Sequence, residues 1–196
     1  MARQMVLTIC MAASIGWCMQ PDTSMEMPKK PDPAAEMAKL ARFVGEWPGT
    51  GEMVSPSPEE MKKYMPEDAP EPPSSFDVAS TYEMTLDGQF LKSESWHDMG
   101  EGQRMTFVEY WAWDAKAGKY RTWYFSDWGE FGGGWLTSAK DGNNYRMTGN
   151  GQDAKGNKTG GSGTMTFTDK DTLEWTWNES GPEGKMEFKG TMKRKR

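Results

Sequence analysis

The sequence predicts an all-β protein: about ten antiparallel strands, taken in chain order, closing into an up-and-down barrel behind one short helix. Three observations predict it. From Ser75 onward, turn clusters recur at nearly even spacing: Asp87-Gly88, Gly100–Gly102, Ala115–Gly118, Gly132–Gly134, Asp141–Asn144, Asp153–Asn157, Asp169–Asp171 and Gly181–Gly184. The segments between them alternate, and none has the length and helical period of a crossover helix, which argues against a parallel sheet. The chain also carries 10 Trp, 6 Tyr and 8 Phe within a hydrophobic share of 36%. Few aliphatics with many aromatics suit thin pleated sheets that place large rings on both faces.

The chain begins "MARQMVLTICMAASIGWCMQ". Arg3 precedes an uncharged stretch from Met5 to Met19, too short to span a membrane comfortably and of the length of a signal-peptide core. Ala12, Ala13, Ser14 and Gly16 suit a cleavage region. Residues 1–18 therefore read as a signal peptide, and the mature protein as exported to the periplasm or beyond, without a transmembrane segment. The alternatives are a buried N-terminal helix and a lipoprotein anchored through Cys18, where Trp17 stands in place of the small residue such a site expects. Cys10 and Cys18 both fall in this leader, so disulfides, thiol catalysis and zinc–thiolate sites are excluded from the mature domain.

Residues 19–33 read as a Pro-rich tether, and 34–196 as a single domain. In "PAAEMAKLARFVGEW", Pro33 suits a first helical turn, Met37, Leu40 and Ala41 form an apolar stripe, and Gly45 ends the helix. The first strand spans 46–54. Residues 55–75 are an acidic, Pro-rich insertion in which Ser57 and Glu60 have capping-box spacing. The other strands centre on 76–86, 89–98, 104–113, 119–128, 134–140, 145–152, 160–168, 172–179 and 185–194.

Asp87-Gly88 between two alternating runs is a strong hairpin signal. A two-residue loop pairs Leu86 with Gln89, Met84 with Leu91, Tyr82 with Ser93, Ser80 with Ser95 and Val78 with His97. Paired residues share a face. One face then holds Phe76, Val78, Ser80, Tyr82, Met84, Leu86, Leu91, Ser93, Ser95 and His97, and should look inward. The hydroxyls, the phenol and the imidazole each need a partner if buried, which water or a ligand in a cavity would supply. In "RFVGEWPGTGEM", Gly45, Trp47, Gly49 and Gly51 share one face. Trp47 would plug one end of the barrel above the helix. The glycines either leave open volume above that plug or relieve crowding in a filled core.

Gly45-x-Trp47 behind a short helix resembles the signature of lipocalin and calycin barrels. That resemblance implies packing of the Trp against a basic residue of the last strand, here Lys193 or Arg194. "LARFVGEWPGTGEM", "LDGQFLKSE", "WDAKAGKYRTWYFSDWG" and "FKGTMKRK" together resemble a bacterial lipocalin-like family of unknown function (DUF family 1579) over roughly residues 36 to 195. The resemblance implies the barrel and leaves the reaction open; the insertion at 55–75 and the Trp load depart from it. Nitrobindin-type haem barrels also have ten strands and a Gly-x-Trp start, with a haem-ligating His on a late strand. The single histidine here, His97, falls on the third strand, which leaves a Met or Tyr as the conceivable ligand.

The expected function is non-catalytic binding of a small, largely apolar molecule or lipid inside the barrel, lined by Trp47, Tyr82, Met84, Leu91, Ser93, Ser95 and His97. No catalytic group, metal set or cofactor is expected. His97 and Asp98 point to opposite faces and should not meet. "DAKAGK" and "DGNN" lack the spacing of a calcium loop. Met25 and Met27 as Cu(I) ligands, and the terminal Lys-Arg-Lys-Arg as a contact for anionic lipid, have simpler readings as general Met usage and a solvated strand end. The net charge of -6 disfavours nucleic acid, which needs a basic face. The alternatives are an enzyme using His97 with Glu109 or Tyr124, and an envelope interaction protein using outward Trp96. The aromatic run "YWAWDAKAGKYRTWYFSDWGEF" could also serve as a stacking wall for a ring or sugar. Oligomeric state does not follow from the sequence.

Overall fold

A computed structural model describes residues 32, 34–57, 59–60, 74–100, 102–181 and 184–196. The leader at 1–18, the tether apart from Asp32, and most of the insertion lie outside the described residues. A short helix, α1 (Ala35–Lys39), runs into a tighter 3-10 turn at Leu40–Phe43. Ten strands follow: β1 (Gly45–Ser55), β2 (Ser75–Thr85), β3 (Phe90–Asp98), β4 (Arg104–Asp114), β5 (Lys119–Ser126), β6 (Phe131–Ser138), β7 (Asn144–Gln152), β8 (Lys158–Phe167), β9 (Thr172–Gly181) and β10 (Gly184–Lys193). Each pairs antiparallel with its chain neighbours, and β1 also pairs with β10, closing the barrel. Closure leaves no free sheet edge, so the backbone groups of every strand find partners around the ring.

The hairpin register is as expected: Met84 pairs with Leu91, Tyr82 with Ser93, Ser80 with Ser95 and Val78 with His97. Leu86 departs from the expectation. It adopts a left-handed conformation with φ 50°, followed by Asp87 at 54° and Gly88 at 79°. The turn closes through two bonds, Gly88 N–H donating to the Thr85 carbonyl at 3.1 Å and Gln89 N–H to the Leu86 carbonyl at 3.3 Å. This swings the Leu86 side chain out of the inward row and leaves it 63% exposed. Trp113 pairs directly with Tyr120 across the β4–β5 turn, their ring centroids 5.1 Å apart.

Two further local expectations are corrected. Gly132–Gly134 is not a turn: these residues belong to β6, and the turn lies before them, where Gly129 N–H donates to the Ser126 carbonyl. A Cβ on Gly134 would sit 1.8 Å from the Thr148 carbonyl oxygen, so close approach of β7 requires the glycine. Ala41 is exposed rather than part of the apolar stripe; the 3-10 turn places Phe43 there instead, with Met37 and Leu40. The expected capping box does form, with Ser57 N–H donating to Glu60 at 2.8 Å and Glu60 N–H to the Ser57 hydroxyl at 3.3 Å.

The helix end of the barrel is closed by packing. Met37, Leu40, Phe43, Trp47, Leu91, Trp111, Tyr120, Leu136 and Leu173 are essentially inaccessible. The Phe43 ring sits 4.8–5.5 Å from those of Phe167, Tyr145, Trp111 and Tyr82. Trp47 donates its indole N–H to the Phe43 carbonyl at 2.6 Å, so its polar edge is satisfied inside the core. The basic partner of Trp47 is Arg194, whose guanidinium carbon lies 4.4 Å from the ring centroid. Its nitrogens also donate to the carbonyls of Val44, at 2.6 Å, and of Arg42.

Candidate functional site

At the far end of the barrel the inward positions behave differently. His97, Phe107, Glu109, Tyr124, Trp175, Trp177 and Glu179 lie on inward rows of β3, β4, β5 and β9, yet all are half-buried rather than sealed. Their parity follows from register. Leu173 is fully buried, and Trp175, Trp177 and Glu179 continue its row. Solvent therefore reaches inward-facing side chains in this half, whereas the helix-capped half is closed to it.

The glycines of "RFVGEWPGTGEM" answer to the side chains packed beside them. A Cβ on Gly51 would meet the Phe76 ring at 2.5 Å and Trp175 at 3.1 Å, and one on Gly190 would meet Trp175 at 2.6 Å. Gly161 and Gly163 stand in the same relation to Trp177. The missing side chains recess large rings into the wall. Of the two readings held open, crowding relief is the one Gly49 and Gly51 support, since Met192 and the rings occupy the space beside them.

His97 is enclosed by aromatic rings. Phe107 lies 5.0 Å away and Phe76 5.5 Å, and Trp175 is nearly parallel to it at 6.0 Å and 12°. Burial lowers its pKa to about 4, because a charged imidazole there would lose hydration. The imidazole is thus neutral at physiological pH. Glu109 accepts from the Ser93 hydroxyl at 3.3 Å. Burial pushes the Glu109 carboxyl above the usual range, and the bond from Ser93 opposes that. Glu179 and Tyr124 are also raised, again chiefly by burial. Trp175 Nε1 is buried and has no hydrogen-bond partner. An N–H that has lost water without gaining an acceptor costs about 1–3 kcal/mol, so this atom needs an explanation.

The seven residues expected to line a site divide between the two halves. Trp47, Tyr82 and Leu91 are sealed into the closed end, and Met84 packs against that core. Ser93 is buried at the boundary, while Ser95 and His97 face the open half. The hydroxyls are satisfied within the protein: Ser95 donates to Ser80 at 2.8 Å, Ser80 contacts the Met192 sulfur at 3.7 Å, and Ser93 bonds Glu109. Glu109 and Tyr124 are register partners in the same half as His97. Trp175, Trp177 and Glu179 were missed, although the alternation in "LEWTWNE" carries the signal. Among the described residues no group of three His, Cys, Asp or Glu could hold a metal ion. Nor is any helix there long and apolar enough to cross a membrane.

These features define a ten-stranded up-and-down β-barrel with one capped and one open end. No protein-family profile matches the chain, and no curated protein matches it significantly. Among solved structures it is similar to Rv2717c from M. tuberculosis, with a TM-score of 0.59 and 12% identity over 84% of this chain and 100% of that one. It is also similar to EF1p2_mFAP2b bound to DFHBI, at a TM-score of 0.44 and 8% identity over 81% of this chain and 98% of that one. A protein of unknown function from the DUF3598 family of Nostoc punctiforme matches at 0.42 and 12%, over 85% of this chain and 50% of that one. The first likeness supports the barrel fold, and identities this low say nothing of a ligand.

Proposed function

We propose that the protein is a non-catalytic binder of a small, largely apolar molecule, held in the open half of the barrel. The observation that carries this is a set of inward-facing aromatic rings reached by solvent, with a few polar groups among them. Apolar linings with sparse, fixed polar groups are what small-molecule sites are made of. Phe107, Trp175 and Trp177 supply the apolar surface. Neutral His97, Glu109 and the unpartnered Trp175 N–H supply direction. A ligand bearing a carbonyl or similar acceptor would relieve the Trp175 N–H. The binding reading is favoured over catalysis because rings surround His97 and Glu109 is engaged by Ser93, so the titratable groups are held by structural neighbours.

Export is part of the same proposal, resting on the leader-like sequence at 1–18, with anchoring through Cys18 as its alternative. Membership of DUF family 1579 is proposed on the quoted motifs. Titration with anilinonaphthalene sulfonate, followed by competition with fatty acids, sterols and aromatic acids, tests binding. Saturable fluorescence lost in Glu109→Gln or Trp175→Phe supports an interior site, and no binding by any probe overturns it. Cell fractionation and the mass of the mature chain test export.

A further inference from the structure

The outer wall carries a second feature, independent of the interior. Outward residues of β5, β6 and β7 form a groove of about 440 Å³, with Trp123 and Phe125 of β5 on one flank, Thr148 and Asn150 of β7 on the other, and Phe131 and Trp135 of the middle strand at its two ends. Register explains the depression. Trp123 pairs with Gly133, and Gly133 with Asn150, so the middle strand contributes no side chain at the floor. Phe125 and Phe131 are 51% and 47% exposed, which is costly to keep bare on a soluble surface. Arg121 lies over the Trp135 ring at 4.6 Å, with Lys119 at 5.9 Å. Arg121 is the charged group of the lining, and no carboxylate lines the groove, although the chain as a whole carries a net charge of -6.

The chemistry selects an occupant with one apolar face, a hydroxylated edge and an anionic group. The negative face of an indole attracts the weakly positive C–H bonds of a pyranose ring. Thr148 and Asn150 offer donors and acceptors along the opposite edge. A guanidinium held flat by stacking on an aromatic ring presents its fork to a carboxylate. We propose that this outer groove binds an acidic saccharide, a pyranose unit carrying a carboxylate, with Trp123 and Trp135 stacking on it and Arg121 clamping the acid. A volume of about 440 Å³ falls in the range of small-ligand sites.

Calorimetry on the full chain tests this with three probes: a short hexuronic acid oligomer, a neutral glucose oligomer of equal length, and benzoate. The expected result is binding of the hexuronate oligomer, with the neutral oligomer about tenfold weaker for want of the charge-assisted bonds, and benzoate weaker than either. Trp135→Ala should weaken hexuronate binding by about three- to tenfold, and Asn150→Ala, a change at an exposed position, should also weaken it. Trp175→Phe should leave it unchanged, which separates this groove from the interior site. Failure of both oligomers to bind, equal affinity for the neutral one, benzoate as the tightest probe, or full affinity in Trp135→Ala and Asn150→Ala would each overturn the proposal.

Discussion

Replacing Arg194 by Met removes the clamp over the closed end while keeping an unbranched apolar stem. The wild-type guanidinium donates to the Val44 carbonyl at 2.6 Å and to that of Arg42, rests 4.4 Å from the Trp47 ring centroid, and lies 3.6 Å from an Asp171 oxygen. Its side chain is 26% exposed, so each interaction is taken at the low end of its range. Two charge-assisted bonds are worth about 3 kcal/mol together. The cation–π contact adds about 0.5–1 kcal/mol, and the partly exposed ion pair roughly 0–1 kcal/mol. The expected loss is about 3.5–5 kcal/mol in urea unfolding with an unchanged slope, and a fall in Tm of roughly 7–20 °C. Arg194→Lys keeps a cation without the fork and should fall between. A loss below about 1 kcal/mol, or a Lys variant as stable as wild type, would refute the reasoning that this guanidinium ties the helix exit to the last strand.

Gly190→Val should destabilise the barrel by at least about 1–3 kcal/mol through overpacking, since even a Cβ there meets the Thr50 carbonyl at 2.4 Å and the Trp175 ring at 2.6 Å; denaturant unfolding checks it, and a neutral effect would mean that the indole is not recessed there. His97, the one histidine of the chain, should show a single imidazole titration near pH 4 by NMR, against an ordinary value near 6.5. Because its folded pKa is depressed, its contribution to stability is fully present above about pH 6.5 and is lost as pH falls toward 4, by about 2–3 kcal/mol after allowing for partial hydration. Glu109, raised by burial, acts in the opposite sense, so the wild-type curve is best read as its difference from His97→Gln, which should shrink as acid is added. A flat difference across that window would show that the imidazole is hydrated.

Much of the barrel was legible because local rules agreed with one another. The Asp87-Gly88 pair set the β2–β3 register, and alternation then assigned faces through His97. The same rule failed at Leu86 because the bond from Gly88 N–H to the Thr85 carbonyl makes Leu86 a central, left-handed turn residue, and a leucine does not mark such a position in the sequence. Gly132–Gly134 was misread because glycine marks turns and close strand approaches alike, and only a neighbouring strand decides between them. The candidate site was half legible. Sequence parity placed Ser95 and His97 inside correctly, but it cannot tell which end of an inward row is capped. Trp47 and Tyr82 are sealed because Phe43 and the helix residues fold over them. The polar inward face suggested a wet interior, yet Ser80, Ser93 and Ser95 satisfy one another or Glu109, a partnership set by register between non-adjacent residues. The orphan of the interior is instead an indole N–H on β9, which no count of hydroxyls would have found.

The indole N–H resonances report the central claim most directly. On titration with anilinonaphthalene sulfonate, the Trp175 signal should shift downfield and gain protection from exchange while that of Trp47, already bonded to Phe43, stays still. A Trp175 signal that remains unmoved at saturation, with the response confined to Trp123 and Trp135 on the outer wall, would contradict it.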